Sequence, residues 1–233
     1  MTPLAAVLAF CHKDFDQALR WLRWVKFLQE INGKSVTLFI VGTRSISNSQ
    51  WDMIRACCED THWMPCVLEG ENEGSYPVCS NFLFVNSLAM VSGMNRDVAI
   101  LFCEPDTVPM RADWFDRLEE EFNAAGKPFC GAWIDHCVPH MAGCGIYGPE
   151  WKERAPSILQ CVTPEAGAFD TFCAHEIVPQ MHRTKLIYQI WRSFGWTPQN
   201  LGQIPPETCL FHQDKGGSLI TALAATRFPG FKD

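Results

Sequence analysis

Val98-Ala99-Ile100-Leu101-Phe102-Cys103-Glu104-Pro105-Asp106-Thr107-Val108-Pro109 decides how this chain is read. The run from Val98 to Cys103 is wholly apolar. It stops at two carboxylates, Glu104 and Asp106, and Pro105 and Pro109 close off regular structure. A short apolar run between turn residues predicts a strand buried on both faces, as in a parallel sheet. Open α/β sheets bind their ligands outside the carboxyl ends of such strands. Two acids one residue apart at that end suit a hard divalent cation carrying a phosphorylated substrate.

Upstream, Leu4 to Phe10 is a second apolar run, ending at Cys11-His12-Lys13-Asp14. Phe15, Leu19, Leu22, Val25 and Leu28 then recur at helical spacing, with Asp14 placed to cap the helix and Gly33 to stop it. Ser35 to Val41 is rich in β-branched residues and reads as a strand. A β-α-β opening predicts a parallel strand pair. Ser45 to Cys58 reads as a loop and short helix, Glu69 to Glu73 as an exposed acidic loop, and Phe82 to Met90 as an apolar helix.

Downstream, Ala112 to Ala125 is an acidic helix with Trp114, Phe115, Leu118 and Phe122 on one side, stopped by Gly126. Phe129 to Ile134 is a strand, and Asp135 to His140 a polar connection. His136 and His140 have helical ligand spacing, but Pro139 between them makes the segment a loop. Gly143 and Gly145 mark either tight packing or close approach of a ligand. Asp170 precedes a helix over 171–177 and is placed either to cap it or to act on a substrate. Ile177 to Pro206 holds no acid. Within it, His182, Arg183, Lys185 and Arg192 alternate with Tyr188, Trp191, Phe194 and Trp196. That pattern is either an amphipathic helix or a groove in which cations follow phosphates and aromatic rings stack on bases.

At 233 residues and 47% hydrophobic, the chain can bury one large α/β core, and it contains no linker or internal repeat. The net charge of −7 argues against a broad nucleic-acid-coating surface. Twelve cysteines without a CxxC pair read as reduced thiols filling a core, and the expected compartment is the cytoplasm. Cys137/His140 and Cys209/His212 are Cys-x-x-His pairs too far apart in sequence to define a zinc site. Leu4 onward lacks the basic flank of a signal peptide, and no run reaches membrane-spanning length.

Taken in order, these motifs resemble a GT-A type glycosyltransferase. That resemblance implies a single Rossmann-like α/β domain with a mostly parallel sheet flanked by helices. Residues up to about 110 would serve the nucleotide-sugar donor, and about 111–233 the acceptor. Glu104-Pro105-Asp106 stands where the family carries its D-x-D motif. Asp106 would then be a direct metal ligand, with Glu104 at the metal or the ribose. Phe211-His212-Gln213-Asp214-Lys215 resembles the late element that adds a metal-binding histidine, here His212, with Lys215 near the phosphates. The resemblance further assigns Phe10, His12 and Asp14 to the nucleotide base, and Asn81, after Tyr76-Pro77, to the sugar-nucleotide. Gly143 to Tyr147 would line the acceptor side. Asp170 occupies the place of the base in inverting members, with Asp135 and Glu176 as the other acids available.

The implied co-substrate is a UDP-sugar, and the implied cofactor Mn²⁺ or Mg²⁺, which suit a mixed carboxylate and imidazole site. Small size without a membrane segment is similar to phage-encoded members. That extends the expectation to a 5-hydroxymethylpyrimidine acceptor in DNA, reached by base flipping and gripped by the His182 to Trp196 stretch, in the host cytoplasm. A saccharide or other small acceptor, and a non-catalytic sugar- or nucleic-acid-binding module, are the alternatives. A nucleotidyltransferase would need a Gly-rich loop after the first strand, and Phe10 to Asp14 has no glycine.

Overall fold

The computed structural model describes residues 1–57, 62–66, 75–191 and 195–232. In chain order the elements are β1 (Leu4–Phe10), α1 (Phe15–Asn32), β2 (Leu38–Thr43), α2 (Asn48–Cys57), β3 (His62–Cys66), α3 (Val78–Met94), β4 (Ala99–Cys103) and β5 (Val108–Pro109). They continue with α4 (Trp114–Ala125), β6 (Phe129–Ile134), β7 (His140–Tyr147), α5 (Trp151–Arg154), α6 (Phe169–Phe172), α7 (Ala174–Ile177), β8 (Met181–Arg183), β9 (Ile187–Gln189), β10 (Leu210–His212) and α8 (Ser218–Thr226).

Seven strands form the main sheet in the order β3-β2-β1-β4-β7-β6-β8. Strands β3, β2, β1 and β4 are parallel, β7 runs antiparallel to β4 and β6, and β8 is parallel to β6. The expected β-α-β opening is present, with Ala6 opposite Leu38. Alternate residues of β1 and β4 feed two separate cores, as the period of a strand requires. Leu4, Ala6, Leu8 and Phe10 pack on one face with α1. Ala5, Val7 and Ala9 pack on the other with α3. Likewise Leu101 and Cys103 face the first core, and Ile100 and Phe102 the second. Gly33 and Gly126 end α1 and α4 in the left-handed conformation, with φ of 68° and 60°.

Several expectations need correction. Asp14 makes no capping bond to α1; its carboxylate accepts instead from the Cys11 thiol at 3.1 Å. The helix expected over 171–177 is two short helices, α6 and α7, meeting at Cys173. The amphipathic-helix reading of the basic stretch fails, since that stretch contains β8 and β9. Gly143 and Gly145 are packing positions. A Cβ on Gly143 would lie 2.8 Å from the Phe169 ring, and one on Gly145 3.0 Å from Met141. The acidic loop of 69–73 lies outside the described residues, as do Arg192 and Phe194.

A second sheet, β5-β10-β9, lies beyond the end of β4 and positions the site. β10 pairs antiparallel with β5, Leu210 opposite Pro109 and Phe211 opposite Val108. Phe211 is fully buried and packs edge-on to Trp196, with ring centroids 5.1 Å apart. Trp24 of α1 donates through Nε1 to the Pro109 carbonyl at 2.8 Å, tying the small sheet to the main core.

Candidate metal and donor site

The register of β5 on β10 determines which side chains meet. Continued one pair past Val108 and Phe211, it sets His212 opposite Thr107, next to Asp106. The following residues stay in place because the Asp214 amide donates to the Asp106 carbonyl at 2.9 Å. Asp214 then caps α8, accepting from the Leu219 amide at 2.9 Å. Gln213, between them, takes a φ of 87°, a conformation that costs a side-chain-bearing residue about 1 kcal/mol or more. On the other side, Thr107 donates through its amide and its hydroxyl to the Glu104 carbonyl, at 3.0 and 2.7 Å, which fixes the Glu104-Pro105-Asp106 turn.

Glu104, Asp106 and His212 therefore offer three ligand atoms within 4.8 Å of one another. His212 Nε2 is 3.1 Å from Glu104 Oε2 and 3.4 Å from Asp106 Oδ1. Its Nδ1 lies 2.8 Å from Gln189 Oε1, which can only accept, so Nδ1 carries a hydrogen and Nε2 turns to the carboxylates. Burial opposes charge on His212, but Asp106 and Glu104 outweigh it and raise its pKa to about 9. Burial likewise opposes charge on Asp106, and His212 with Lys215 brings its pKa down to about 2. Asp106 is 3% exposed, and both of its carboxylate oxygens are shut from solvent. Lys215 Nζ sits 2.5 Å from Asp106 Oδ2 and pairs with it. A buried carboxylate with a second carboxylate and an imidazole nitrogen within 4.8 Å fits a divalent cation of the Mn²⁺ or Mg²⁺ type.

Parallel pairing of β1 with β4, Leu8 opposite Cys103, brings their carboxyl ends to one edge. A cleft of about 200 Å³ opens there, between Asp14, Glu104, Asp106 and the Tyr76 to Ser80 start of α3. Of the residues expected to read the nucleotide, Asp14 and Phe10 line the cleft, Phe10 being also packed on Trp51. His12 turns instead toward Ser45, its Nδ1 3.0 Å from the hydroxyl. Asn81 has a different employment from the one expected. Its side chain is fully buried, donates to the carbonyls of Cys161 and Gly167, and accepts from the Phe169 amide.

Asp170, in α6, is partly buried, and that burial raises its pKa against the opposing pull of His140. Glu104 and His212 also act on it electrostatically. Glu176 is engaged elsewhere, accepting from the amide and the hydroxyl of Ser157. Asp135 is exposed on the β6–β7 turn. The residues that sequence reading missed are Gln189, which orients His212, and His140, whose Nε2 is 3.7 Å from Asp170 Oδ2. His140 opens β7 opposite Ile134 of β6. Its helical spacing with His136 singled out His140 but gave no sign of the Asp170 contact.

In the basic stretch, His182 bonds Glu121 at 2.9 Å and the Arg183 guanidinium lies 3.6 Å from the centre of the Trp133 ring. Lys185 and Trp191 are exposed, whereas Trp196 is buried. The ten cysteines whose side chains are described are all free thiols. Among the described residues, no helix is long and apolar enough to cross a membrane.

No family model matches the chain, and no curated protein matches it in sequence. Its fold has clear relatives among solved structures. Mouse xyloside xylosyltransferase 1 in its apo form superposes with a TM-score of 0.57 at 13% identity, over 92% of this chain and 99% of that one. The galactosyltransferase LgtC, in complex with donor and acceptor sugar analogues, gives 0.54 at 8% identity over 96% of both chains. A glycosyltransferase involved in glycosylation of the PBCV-1 major capsid gives 0.51 at 9%, over 91% of this chain and 94% of that one. The chain thus has the GT-A glycosyltransferase fold, a single α/β domain with a mostly parallel central sheet flanked by helices.

Proposed function

We propose that this protein is a metal-dependent glycosyltransferase that moves a sugar from a UDP-sugar to an acceptor hydroxyl. The observation carrying the reading is the buried Asp106 carboxylate grouped with Glu104 and His212, at the carboxyl end of β4 and on the wall of the cleft. Transfer breaks the bond between the anomeric carbon and the diphosphate, and negative charge collects on the leaving group. The chemistry supplied by a divalent cation bound to Asp106, His212 and Glu104 is neutralisation of that charge. Lys215 adds a cation on the same side. Asp14 and Phe10 hold the nucleotide in the cleft, so residues up to about 110, together with the His212 to Lys215 loop, serve the donor. Asp170, kept basic by burial, takes the proton of the acceptor hydroxyl.

For the acceptor, the sequence favours a 5-hydroxymethylpyrimidine base in phage DNA, made in the host cytoplasm. Exposed Lys185 and Trp191, close in sequence to Gln189, support it. The internal engagement of His182, Arg183 and Trp196 favours the second reading, a saccharide hydroxyl. A screen of UDP-sugars with Mn²⁺ or Mg²⁺ against hydroxymethylated DNA, unmodified DNA and simple saccharides, read by mass spectrometry, tests both. Metal-dependent release of UDP that vanishes in Asp106→Asn supports the transferase. UDP-sugar binding without turnover on any acceptor, water included, would leave only a binding module.

A further inference from the structure

His140 opens β7 and is only 8% exposed. Its Nδ1 lies 2.6 Å from the Val138 carbonyl oxygen, two residues back. A carbonyl only accepts, so Nδ1 bears the hydrogen, and in the neutral ring Nε2 keeps a free lone pair. That Nε2 faces Asp170 Oδ2 at 3.7 Å. The other Asp170 oxygen, Oδ1, accepts from the Thr171 amide at 2.8 Å. One oxygen of the carboxylate is thus pinned by backbone, and the other looks at an imidazole whose orientation the β6–β7 turn sets. The pair resembles the arrangement of His212, where Gln189 fixes Nδ1 and Nε2 meets carboxylates.

We propose that His140 is a positioning residue for Asp170 and the next stop for the proton that Asp170 removes. The inference rests on Asp170 being the base of the transferase proposed above. In the step, the acceptor oxygen bonds to the anomeric carbon, and the carbon–diphosphate bond breaks with its electron pair leaving on the diphosphate. The acceptor proton passes to Asp170 Oδ2 and then to His140 Nε2, which releases it to water and restores the carboxylate. Only about 1 Å of approach separates the present distance from a hydrogen bond.

Two variants and one spectrum test this. His140→Phe keeps a ring without nitrogens, and His140→Gln puts an amide near the place of Nε2. With UDP-sugar and Mn²⁺, His140→Phe should lower kcat about 10- to 100-fold while the Kd for UDP-sugar stays within about two-fold, and His140→Gln should recover most of the loss. The ¹⁵N spectrum of the wild-type ring should show the Nδ1–H tautomer, with an Nε2 signal that moves in Asp170→Asn. An Nε2–H tautomer overturns the proposal even if His140→Phe fails to fold. So does an unchanged kcat in His140→Phe when Asp106→Asn abolishes turnover, or an equal loss in the Phe and Gln variants. Absence of metal-dependent turnover in the wild type would instead sink the transferase reading itself.

Discussion

The backbone amide of Asp214 donates to the backbone carbonyl of Asp106 across 2.9 Å, and this bond joins the two loops that build the candidate metal site. One loop closes β4; the other follows β10. Their side chains meet because the main chains are already bonded, so the ligand geometry depends on the small sheet as much as on the ligands.

Phe211→Ala should therefore damage the site from a distance. The ring is fully buried against Trp196 and Tyr188. Its loss should cost about 3–5 kcal/mol, measurable by urea unfolding. Mn²⁺ affinity should fall in the fraction that stays folded. A cost under about 1 kcal/mol would mean that β10 is held some other way.

Metal binding should release protons. His212 is charged up to about pH 9 in the folded protein, against an ordinary value of 6.5. Without metal, its contribution to stability is therefore complete below pH 6.5 and fades as pH rises through about 9. A metal needs Nε2 without its proton, so Mn²⁺ binding at pH 7 should expel about one proton. Calorimetry in buffers of different ionisation enthalpy reads that number, and buffer-independent heats would contradict it. In His212→Gln the proton release should vanish.

Asn81→Ala should unfold the protein more readily without touching the cleft directly. It would orphan the carbonyls of Cys161 and Gly167 and the amide of Phe169. At about 1–3 kcal/mol for each buried group, the loss should be at least about 3 kcal/mol by denaturant titration. A variant of near wild-type stability that had lost UDP binding would restore the donor-contact role expected from sequence.

Gly143→Ala should act through Phe169. The added methyl would lie 2.8 Å from a ring stacked on Phe84 at 3.9 Å, so the ring must shift and carry Asp170 with it. Overpacking of this kind costs about 1–3 kcal/mol. Turnover should fall further than stability does, whereas a loss of stability alone would separate Asp170 from the chemistry.

What the sequence made legible follows its periodicity. The β-α-β opening, β4 and α4 are long or strongly patterned, and Gly33 and Gly126 end helices as glycines in the left-handed region do. Glu104, Asp106 and His212 could be picked out because β4 ends in acids and the last polar loop holds a histidine. β3 escaped notice because Pro65 lies inside it, which only an edge strand tolerates, and β3 is an edge. β8 and β9 have three residues each, too few to show alternation. His140 and Gln189 were hidden for another reason. Each matters through a partner distant in sequence, Asp170 and His212, and no local pattern records such a contact.

The separation of the two loops also has a consequence for synthesis. Glu104 and His212 lie 108 positions apart, so at about 5–20 residues per second the histidine emerges roughly 5–20 s after the acids. During that interval Asp106 has neither His212 nor Lys215 beside it, and closing it into the core would strand a charge. The nascent domain is thus expected to hold the end of β4 open to water while the main sheet grows around it. The metal site is then the last part of the molecule to close, and divalent cation in the cell could act on the final step of folding as well as on catalysis.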